Sequence, residues 1–282
     1  MAEVISIINM KGGVGKTTLS VGIADYLSDN GRKVLIIDAD PQFNSTQALL
    51  SCYKENINSK KNFYIDEVKN KHKTIFKLFN TSVTLVDEEP LLPTSEELII
   101  ELKDNLGIIC GDLNLVMVNK INDHSNVEKI KNFMEDNALR EKYDYIIIDC
   151  PPTMSIYTES ALKASDYYLI PNRIDRYSII GINSLQKAIR NLIRQERINI
   201  KCIGLVYTMF EQSLPRKQEI LKTDFESETS LEEIEIFATN MKICKQIQYG
   251  KKGPMPRYYK TSREDLEGIS LELVEKINKY KE

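Results

Sequence analysis

The amino-acid sequence predicts an α/β fold: a doubly wound, mostly parallel sheet with helices on both faces. Short apolar runs rich in β-forming residues alternate with helical patterns along the 282 residues, as expected when crossover helices join parallel strands. The first apolar run, Val4–Ile8, is followed by a glycine-rich loop and an amphipathic segment, Leu19–Leu27. That order of strand, loop and helix is typical of a phosphate-binding unit.

Seven apolar runs are short and β-rich enough to be strands. They are Val4–Asn9, Lys33–Asp38, Gly107–Cys110, Tyr145–Asp149, Tyr167–Pro171, Cys202–Thr208 and Glu235–Ala238. Helical patterns lie between and after them, near Lys16–Asn30, Ser125–Glu141, Ile156–Ala164, Ile179–Gln195, Pro215–Phe225 and Ser262–Lys281. Because neither an internal repeat nor a linker rich in Pro, Gly or Ser divides the chain, we expect one domain over residues 1–282. The segment Cys52–Lys73 is polar, rich in Lys and Asn and without clear periodicity, so we expect a surface excursion there.

The composition is that of an ordinary globular protein, with 42% hydrophobic and 28% charged residues. Five cysteines without paired spacing and two isolated histidines argue against a metal cluster and favour a reducing compartment. No apolar run approaches the ~18 residues of a membrane span. The chain also begins directly with a strand rather than a signal peptide, so a cytoplasmic location is expected.

The segment Lys11–Thr18, Lys-Gly-Gly-Val-Gly-Lys-Thr-Thr, is the predicted phosphate-binding loop. A triphosphate needs several converging backbone N–H donors, and glycines let the main chain fold around its oxygens. The helix start adds N–H groups and its positive dipole end. Lys16 is expected at the β- and γ-phosphates, and the Thr17 hydroxyl at Mg²⁺. The predicted nucleotide-binding residues of the loop are Gly12, Gly13, Val14, Gly15, Lys16, Thr17 and Thr18. The predicted sheet is therefore that of a P-loop NTPase.

A second lysine, Lys11, occupies the first position of this loop. At all eight positions the loop resembles the deviant Walker A motif of the superfamily that includes ParA partition ATPases, MinD and the nitrogenase iron protein. There the extra lysine reaches across an ATP-sandwiched dimer to the partner's nucleotide, and the resemblance implies the same catalytic role for Lys11. A solvent-exposed lysine in a glycine-rich turn is the alternative.

Two strand ends carry acidic motifs that resemble those of the same superfamily. The segment Val34–Gln42 ends in Asp-Ala-Asp-Pro-Gln, and by this match Asp40 positions the attacking water while Asp38 helps to organise the Mg²⁺ shell. The segment Tyr145–Pro152 resembles a Walker B strand, whose Asp149 orients Mg²⁺ through a bound water. The carboxyl ends of parallel strands face the ligand crevice. Helix capping is the alternative for any one of these aspartates.

Within the superfamily the chain looks most like a ParA partition ATPase, on the Pro-Gln after Asp40 and the segments Asn44–Thr46 and Asp104–Leu113. The resemblance implies hydrolysis of ATP with Mg²⁺, a homodimer in the ATP-bound state and binding to nonspecific DNA of the nucleoid. It also implies a ParB-like centromere-binding partner that stimulates hydrolysis. Asn172 matches an adenine-contacting asparagine of relatives, with a turn-forming role as the alternative.

Two positions depart from the ParA pattern. Phe43 stands where a glycine is frequent. Phe237–Thr239 replaces an Ile/Val-Pro-Arg sequence, which leaves contacts to the nucleoside on that side open.

Charge is distributed unevenly around the net value of −3. Residues 240–263 carry seven basic residues and no acidic one: Lys242, Lys245, Lys251, Lys252, Arg257, Lys260 and Arg263. The stretch just before them carries Asp224, Glu226, Glu228, Glu232, Glu233 and Glu235 without any Lys or Arg. This asymmetry predicts a cationic DNA-binding face, with a solvated lysine-rich loop as the alternative. Lys242 and Lys245 are the first candidate contacts. The reserve pair, Arg190 and Arg194, belongs to a second basic cluster at helical spacing.

A MinD-like membrane-associated ATPase is the alternative function. Its membrane helix would be basic, whereas residues 264–277 present an acidic polar face that anionic lipid would repel. An iron-protein reductase would need paired cysteines at a dimer axis, which this chain lacks. We therefore expect a DNA-segregation ATPase, and the compact chain favours a plasmid as its cargo.

Overall fold

The computed structural model describes residues 1–55, 62–80, 93–118, 124–211, 216–228 and 234–281. Within these ranges seven strands form one sheet. They are β1 (Glu3–Ile7), β2 (Val34–Asp38), β3 (Ile100–Lys103), β4 (Leu106–Ile109), β5 (Tyr145–Asp149), β6 (Tyr167–Asn172) and β7 (Lys201–Tyr207). Their order is β3-β4-β2-β5-β1-β6-β7, and all pairs are parallel except β3 with β4. The predicted doubly wound, mostly parallel sheet is confirmed.

Helices pack on both faces of this sheet. The described α-helices are α1 (Lys16–Asp29), α2 (Asn44–Tyr53), α3 (Phe76–Phe79), α4 (Ser95–Leu98), α5 (Leu115–Val118), α6 (Lys129–Asp136), α7 (Leu139–Lys142), α8 (Ile156–Ala164), α9 (Ser178–Glu196), α10 (Arg216–Glu226), α11 (Gln246–Tyr249) and α12 (Lys260–Lys279). Shorter turns are the π-helical segment Tyr64–Lys69 and the 3₁₀ segments His124–Glu128 and Pro256–Tyr258. None of the helices in the described ranges has the length and apolar character needed to cross a bilayer.

The side chains of the central strand β5 show how the two helical layers are assigned. Ile146 and Ile148 lie in one hydrophobic cluster, together with residues of α6, α8 and α9. Tyr145 and Ile147 lie in the other, together with residues of α1, α2 and α12. Because successive side chains of a strand point to opposite faces, one fully buried strand serves both layers.

The edge of the sheet differs from the prediction at two places. The strand β3 was not predicted, since it is short and half-exposed, and its register with β4 shifts between Glu101 and Lys103. The predicted strand Glu235–Ala238 is wrong: in this segment Ile236 makes a single isolated bridge to Leu205. The amides of Ala238 and Thr239 donate to the carboxylate of Glu272 on α12, at 2.9 and 3.1 Å, so these two residues do not extend the pairing with β7.

The predicted helix Ser125–Glu141 is divided into the 3₁₀ turn at residues 124–128, α6 and α7. Ala138 adopts a left-handed conformation, with φ of 50°. The side chain of Asn137 donates to the carbonyl of Phe133 at 3.0 Å and accepts from the amide of Ser95 at 2.6 Å. Asn137 therefore ends α6 and ties it to the start of α4.

The predicted excursion is partly packed structure. Cys52 and Tyr53 end α2, and in the segment Tyr64–Lys69 the side chain of Val68 is fully buried. Residues 56–61 of the excursion lie outside the described residues, as do Glu232, Glu233 and the start of the helix predicted at Pro215. The assignment of residues 1–282 to one domain stays a prediction.

Candidate nucleotide-binding site

The loop between β1 and α1 has the backbone of a phosphate cradle. Gly13 and Gly15 have φ of 71° and 83°, values that glycine adopts without a steric penalty. A Cβ placed on Gly12 or Gly13 would meet no atom within 4 Å, so the loop is open on that side. Since the first amides of a helix have no intrahelical acceptor, the start of α1 adds N–H donors to this opening.

Lys16 is almost buried beneath the loop, with 7% of its surface exposed. Its Nζ donates to the carbonyls of Asn9 and Lys11 at 3.0 and 3.1 Å. Burial lowers the pKa of Lys16, while the carboxylates of Asp149 and Asp40 oppose that shift. An ammonium group has three N–H donors, so one donor remains for an anion after the two carbonyls are satisfied.

Asp149, at the end of β5, accepts hydrogen bonds from three hydroxyl groups. Its Oδ2 accepts from Thr17 at 2.9 Å and from Ser45 at 2.6 Å, and its Oδ1 accepts from Ser20 at 3.1 Å. Burial raises the pKa of Asp149 to about 6, although the hydrogen bonds of Ser45 and Thr17 work in the opposite direction. Thr17 and Asp149, both predicted to serve Mg²⁺, thus lie in direct contact.

Asp38, at the end of β2, lies beside Asp149 in the sheet register and is completely buried. Its Oδ2 accepts from the amide and the hydroxyl of Thr46 at 2.8 and 2.7 Å. The Thr46 hydroxyl in turn accepts from the amide of Gly111 at 2.8 Å. Burial and the negative charge of Asp149 raise the pKa of Asp38. Asp38 thus bonds directly to Thr46 of α2 and to the amide of Asp40, and reaches the segment after β4 through Thr46. Its role towards Mg²⁺ stays a prediction.

Asp40 lies in a tight turn between β2 and α2. Its Oδ1 accepts from the amide of Gln42 at 2.8 Å, and its carbonyl accepts from the amide of Phe43 at 2.8 Å. With 7% of its surface exposed, the carboxylate is oriented by the backbone of its own turn.

Lys11 makes an ion pair within its own chain. Its ammonium group contacts the carboxylate of Asp175, just before α9. The amide of Lys11 donates to the side chain of Asn9 at 2.9 Å, and that side chain donates to the carbonyl of Pro171 at 2.8 Å. About a third of each ion-pair side chain is exposed, 33% for Lys11 and 34% for Asp175. The pair therefore holds Lys11 beside the loop that precedes α9.

Asn172, the last residue of β6, is 1% exposed, and its side-chain Nδ2 has no hydrogen-bond partner among the described residues. The carbonyl of Asn172 accepts from the amide of Thr208 at 2.9 Å, and the Thr208 hydroxyl donates to the carbonyl of Val14 at 2.7 Å. An unpaired buried donor is costly. Asn172 is connected to the phosphate loop through Thr208, which bonds to the carbonyls of both Asn172 and Val14.

Five contacting residues were not predicted as parts of the site. They are Ser20, Ser45, Thr46, Asp175 and Thr208. Ser20 lies one helical turn after Thr17, and Ser45 and Thr46 belong to the segment that carries the ParA resemblance, so three of these positions had a sequence signal. Asp175 and Thr208 come from the ends of other strands and had none.

The basic run from residue 240 to residue 263 is less cationic than predicted. Lys242 pairs with Asp265, through its amide at 2.8 Å and its Nζ at 2.5 Å. Arg257 pairs with Asp25 at 2.9 Å and with Asp29 at 3.0 Å. Lys245, Lys251 and Lys252 stay exposed, whereas carboxylates from outside the run neutralise Lys242 and Arg257. The DNA-binding role of this face stays a prediction.

The second basic cluster lies along one side of α9 and its C-terminal cap. Its members, Lys187, Arg190, Arg194 and Arg197, are all exposed. None of them forms an ion pair with a carboxylate of the described residues. Because residues three and four apart share a helical face, these four side chains form a ridge on one side of α9. No carboxylate of the described residues pairs with them, so the ridge is positively charged.

Comparison with known proteins assigns this chain to a family. Residues 2–202, which include the loop and the aspartates, match a family model described as an AAA domain. The sporulation initiation inhibitor protein Soj of Bacillus subtilis is 30% identical over 213 residues, covering 75% of this chain and 74% of Soj. The chain belongs to the ParA-type partition ATPases. The chromosome partitioning protein ParA of Myxococcus xanthus is 31% identical over 216 residues, covering 75% of this partition ATPase and 66% of that ParA.

A solved structure extends the likeness of fold beyond the matched domain. Apo McdA of Cyanothece superimposes on this partition ATPase with a TM-score of 0.74, covering 97% of this chain and 100% of McdA at 20% identity. The predicted membership in the ParA/MinD superfamily is confirmed, and the P-loop NTPase fold includes β7 and α12.

Proposed function

We propose that this partition ATPase hydrolyses ATP with Mg²⁺ in an ATP-bound homodimer and couples that cycle to binding and release of nonspecific DNA. The observation that carries the proposal is the contact between Thr17 and Asp149 beside the buried ammonium of Lys16. A hydroxyl and a carboxylate meet a cation at the start of a helix there, which is the arrangement that phosphoryl transfer requires.

The residues present fit a nucleotide. Space beside Gly12 and Gly13 is open to the phosphates, and the third N–H donor of Lys16 can serve a phosphate oxygen. At the other end of the site, the unpaired Nδ2 of Asn172 offers a donor to a ring nitrogen of adenine. Binding would satisfy both groups at once, which favours ATP over a bare phosphate.

Magnesium would be held jointly by the protein and the nucleotide. Among the described residues, no three His, Cys, Asp or Glu side chains converge as a metal cage. Mg²⁺ usually keeps several waters and takes its remaining ligands from a few protein oxygens and from phosphates. Thr17 would supply one such oxygen, and Asp149 and Asp38 would orient the waters. The bound ion would supply positive charge to the phosphates during hydrolysis.

Asp40 would position the attacking water, because the amide of Gln42 already fixes the direction of its carboxylate. Lys11 would contribute to catalysis from the partner subunit. To do so it must leave Asp175, and a partly exposed ion pair of this kind contributes only about 0–1 kcal/mol. ATP-dependent dimerisation can therefore exchange this contact at small cost.

The exposed ridge of α9 is the DNA-binding surface that the structure favours, with Lys245 as a second contact. Phosphate contacts carry affinity without reading sequence, and an ATP-bound dimer presents two ridges, which multiplies a weak affinity. A ParB-like centromere-binding protein would stimulate hydrolysis and release the dimer. Nucleoid DNA would be the platform and a plasmid the cargo.

The membrane-associated alternative has little support in the structure. The apolar residues of α12 that would face lipid, Leu266, Ile269, Leu273 and Ile277, are buried against the sheet. An amphipathic membrane helix needs that face exposed.

Binding of the full-length protein to random-sequence DNA, measured with ATP, with ADP and without nucleotide, tests the proposal. We expect binding with ATP that falls steeply as salt is raised, and little binding in the other two states. DNA binding absent in all three states, together with ATP-dependent sedimentation on anionic liposomes, would favour the MinD-like function instead.

A further inference from the structure

Phe43, between Asp40 and α2, has a backbone conformation that is unusual for an aromatic residue. Its φ and ψ are 42° and 39°, in the left-handed region. Non-glycine residues seldom occupy this region, and bulky ones do so only when their surroundings hold them there. Glycine is frequent at this position in the ParA pattern, and glycine adopts a positive φ without strain. In this chain an aromatic residue has to adopt the same region of backbone conformation.

The surroundings that hold Phe43 come from the excursion. Its ring stacks on the ring of Tyr64, with centroids 5.0 Å apart and planes 12° from parallel. The Tyr64 hydroxyl donates to the carbonyl of Gly111 at 3.1 Å. Burial raises the pKa of Tyr64, so the hydroxyl remains a donor at physiological pH.

The segment that accepts the Tyr64 hydrogen bond, around Gly111, is itself held in place. After the excursion, Thr74 forms a bridge to Cys110 and its hydroxyl donates to Asp112 at 2.8 Å. Val68, one turn after Tyr64, is completely buried. Gly111 lies close on the other side of Phe43: a Cβ on Gly111 would be 2.7 Å from the Cβ of Phe43 and 3.1 Å from the carboxyl carbon of Asp38, so only glycine fits there.

The conformation of Phe43 is coupled to Asp40 through the backbone. The amide of Phe43 donates to the carbonyl of Asp40, and the carbonyl of Phe43 accepts from the amide of Gln47 in the first turn of α2. Because Thr46 holds the start of α2 to Asp38, rotation of Phe43 out of the left-handed region would displace the turn before it, which directs the Asp40 carboxylate.

We propose that Tyr64 is a positioning residue for hydrolysis: by stacking on Phe43 it holds the turn that aims Asp40. The proposal rests on the proposed role of Asp40 and gives the excursion a direct mechanical connection to the catalytic turn. Tyr64 itself touches neither nucleotide nor water in this scheme.

The test compares single-turnover hydrolysis of MgATP by the full-length protein with equilibrium binding of ATP. In Tyr64→Ala the rate should fall about tenfold, as misplaced catalytic groups produce, while the Kd for ATP stays within about twofold because Lys16 and the loop are unchanged. Tyr64→Phe, which keeps the ring, should retain the rate. In an Asp40→Ala background, Tyr64→Ala should cause no further loss, since positioning acts only through Asp40.

Rescue distinguishes positioning from packing. Glycine adopts a positive φ without support, so Phe43→Gly should make the stack unnecessary, and the double variant Phe43→Gly/Tyr64→Ala should be as fast as Phe43→Gly alone. If the loss were one of packing, the double variant would be slower than either single one. A double variant slower than either single one would overturn the proposal, as would a normal rate in Tyr64→Ala. Failure of both Tyr64→Ala and the double variant to melt cooperatively would overturn it too. Fast hydrolysis by Asp40→Ala would instead refute the proposed role of Asp40, whereas slow hydrolysis by Asp40→Ala beside a normal Tyr64→Ala would refute only the positioning role.

Discussion

The phosphate-binding loop and the basic run of residues 240–263 are both short stretches rich in charge, yet they obtain their partners differently. Lys16 bonds to the carbonyls of Asn9 and Lys11, both within seven residues of it. Arg257 bonds to Asp25, 232 residues away in the sequence. The chemistry of the loop is therefore set by its own backbone, whereas the charge of the basic run depends on which acidic side chains fold against it.

The largest effect is expected inside the loop. Lys16→Ala should weaken ATP binding by roughly a thousandfold, because losing one partner of a desolvated charge contact costs about 4 kcal/mol. Lys11→Ala is the matched control, since the Lys11 side chain is one-third exposed and its proposed nucleotide contact is in the partner subunit. It should keep most ATP affinity and lose dimerisation and turnover. Isothermal titration calorimetry with a nonhydrolysable analogue measures the ATP affinity of both variants. Equal losses of affinity would contradict the division between the two lysines.

The second expected effect concerns Asp40, whose task arises after ATP has bound. Asp40→Ala should slow turnover by about a hundredfold, as removal of a group that handles the attacking water does, and should accumulate an ATP-bound dimer that still binds DNA. Gel filtration with MgATP reports the dimer. A monomer under these conditions would mean that Asp40 acts in folding or metal binding.

A third prediction tests the structural role of the acidic partners of the basic run. Asp25 is 3% exposed and accepts from Lys103 at 2.7 Å as well as from Arg257. Asp25→Ala should lower the free energy of unfolding by about 2 kcal/mol, because two cations lose their hydrogen bonds to a buried, charged carboxylate. Asp29→Ala, at a half-exposed carboxylate that contacts the same two cations, should cost no more than about 1 kcal/mol. Urea denaturation compares them, and equal costs would remove the distinction between buried and exposed partners.

The smallest expected effect compares the two basic surfaces. Arg190→Ala/Arg194→Ala should lower the slope of log affinity for DNA against log salt by about 1.8 for each protomer bound, at about 0.9 for each phosphate contact. Lys242→Ala should leave this slope nearly unchanged because Asp265 already neutralises the lysine. ATP-dependent dimerisation should be normal in both variants. A larger change in Lys242→Ala than in the α9 variant would return the DNA-binding surface to the C-terminal run.

The central strands and the phosphate loop were predictable because their signals are local. A buried parallel strand is a continuous apolar run, and a loop that must turn tightly around phosphates needs glycines, so Gly13 and Gly15 are visible in the sequence before their positive φ is known. The aspartates at the ends of β2 and β5 were predictable for a similar reason, since a parallel sheet gathers its strand ends on one edge.

The remaining features depend on contacts between segments that are distant along the chain, and no local pattern encodes them. Glu272 of α12 accepts hydrogen bonds from the amides of Ala238 and Thr239, and the predicted strand is limited to one bridge with β7. Asp265 and Asp25 remove charge from the basic run. Tyr64 holds Phe43 in a conformation that its own residue type disfavours. A sequence specifies the period and the turns of its backbone, but the partner of a side chain is decided only when the sheet and its helices bring remote residues within hydrogen-bonding distance.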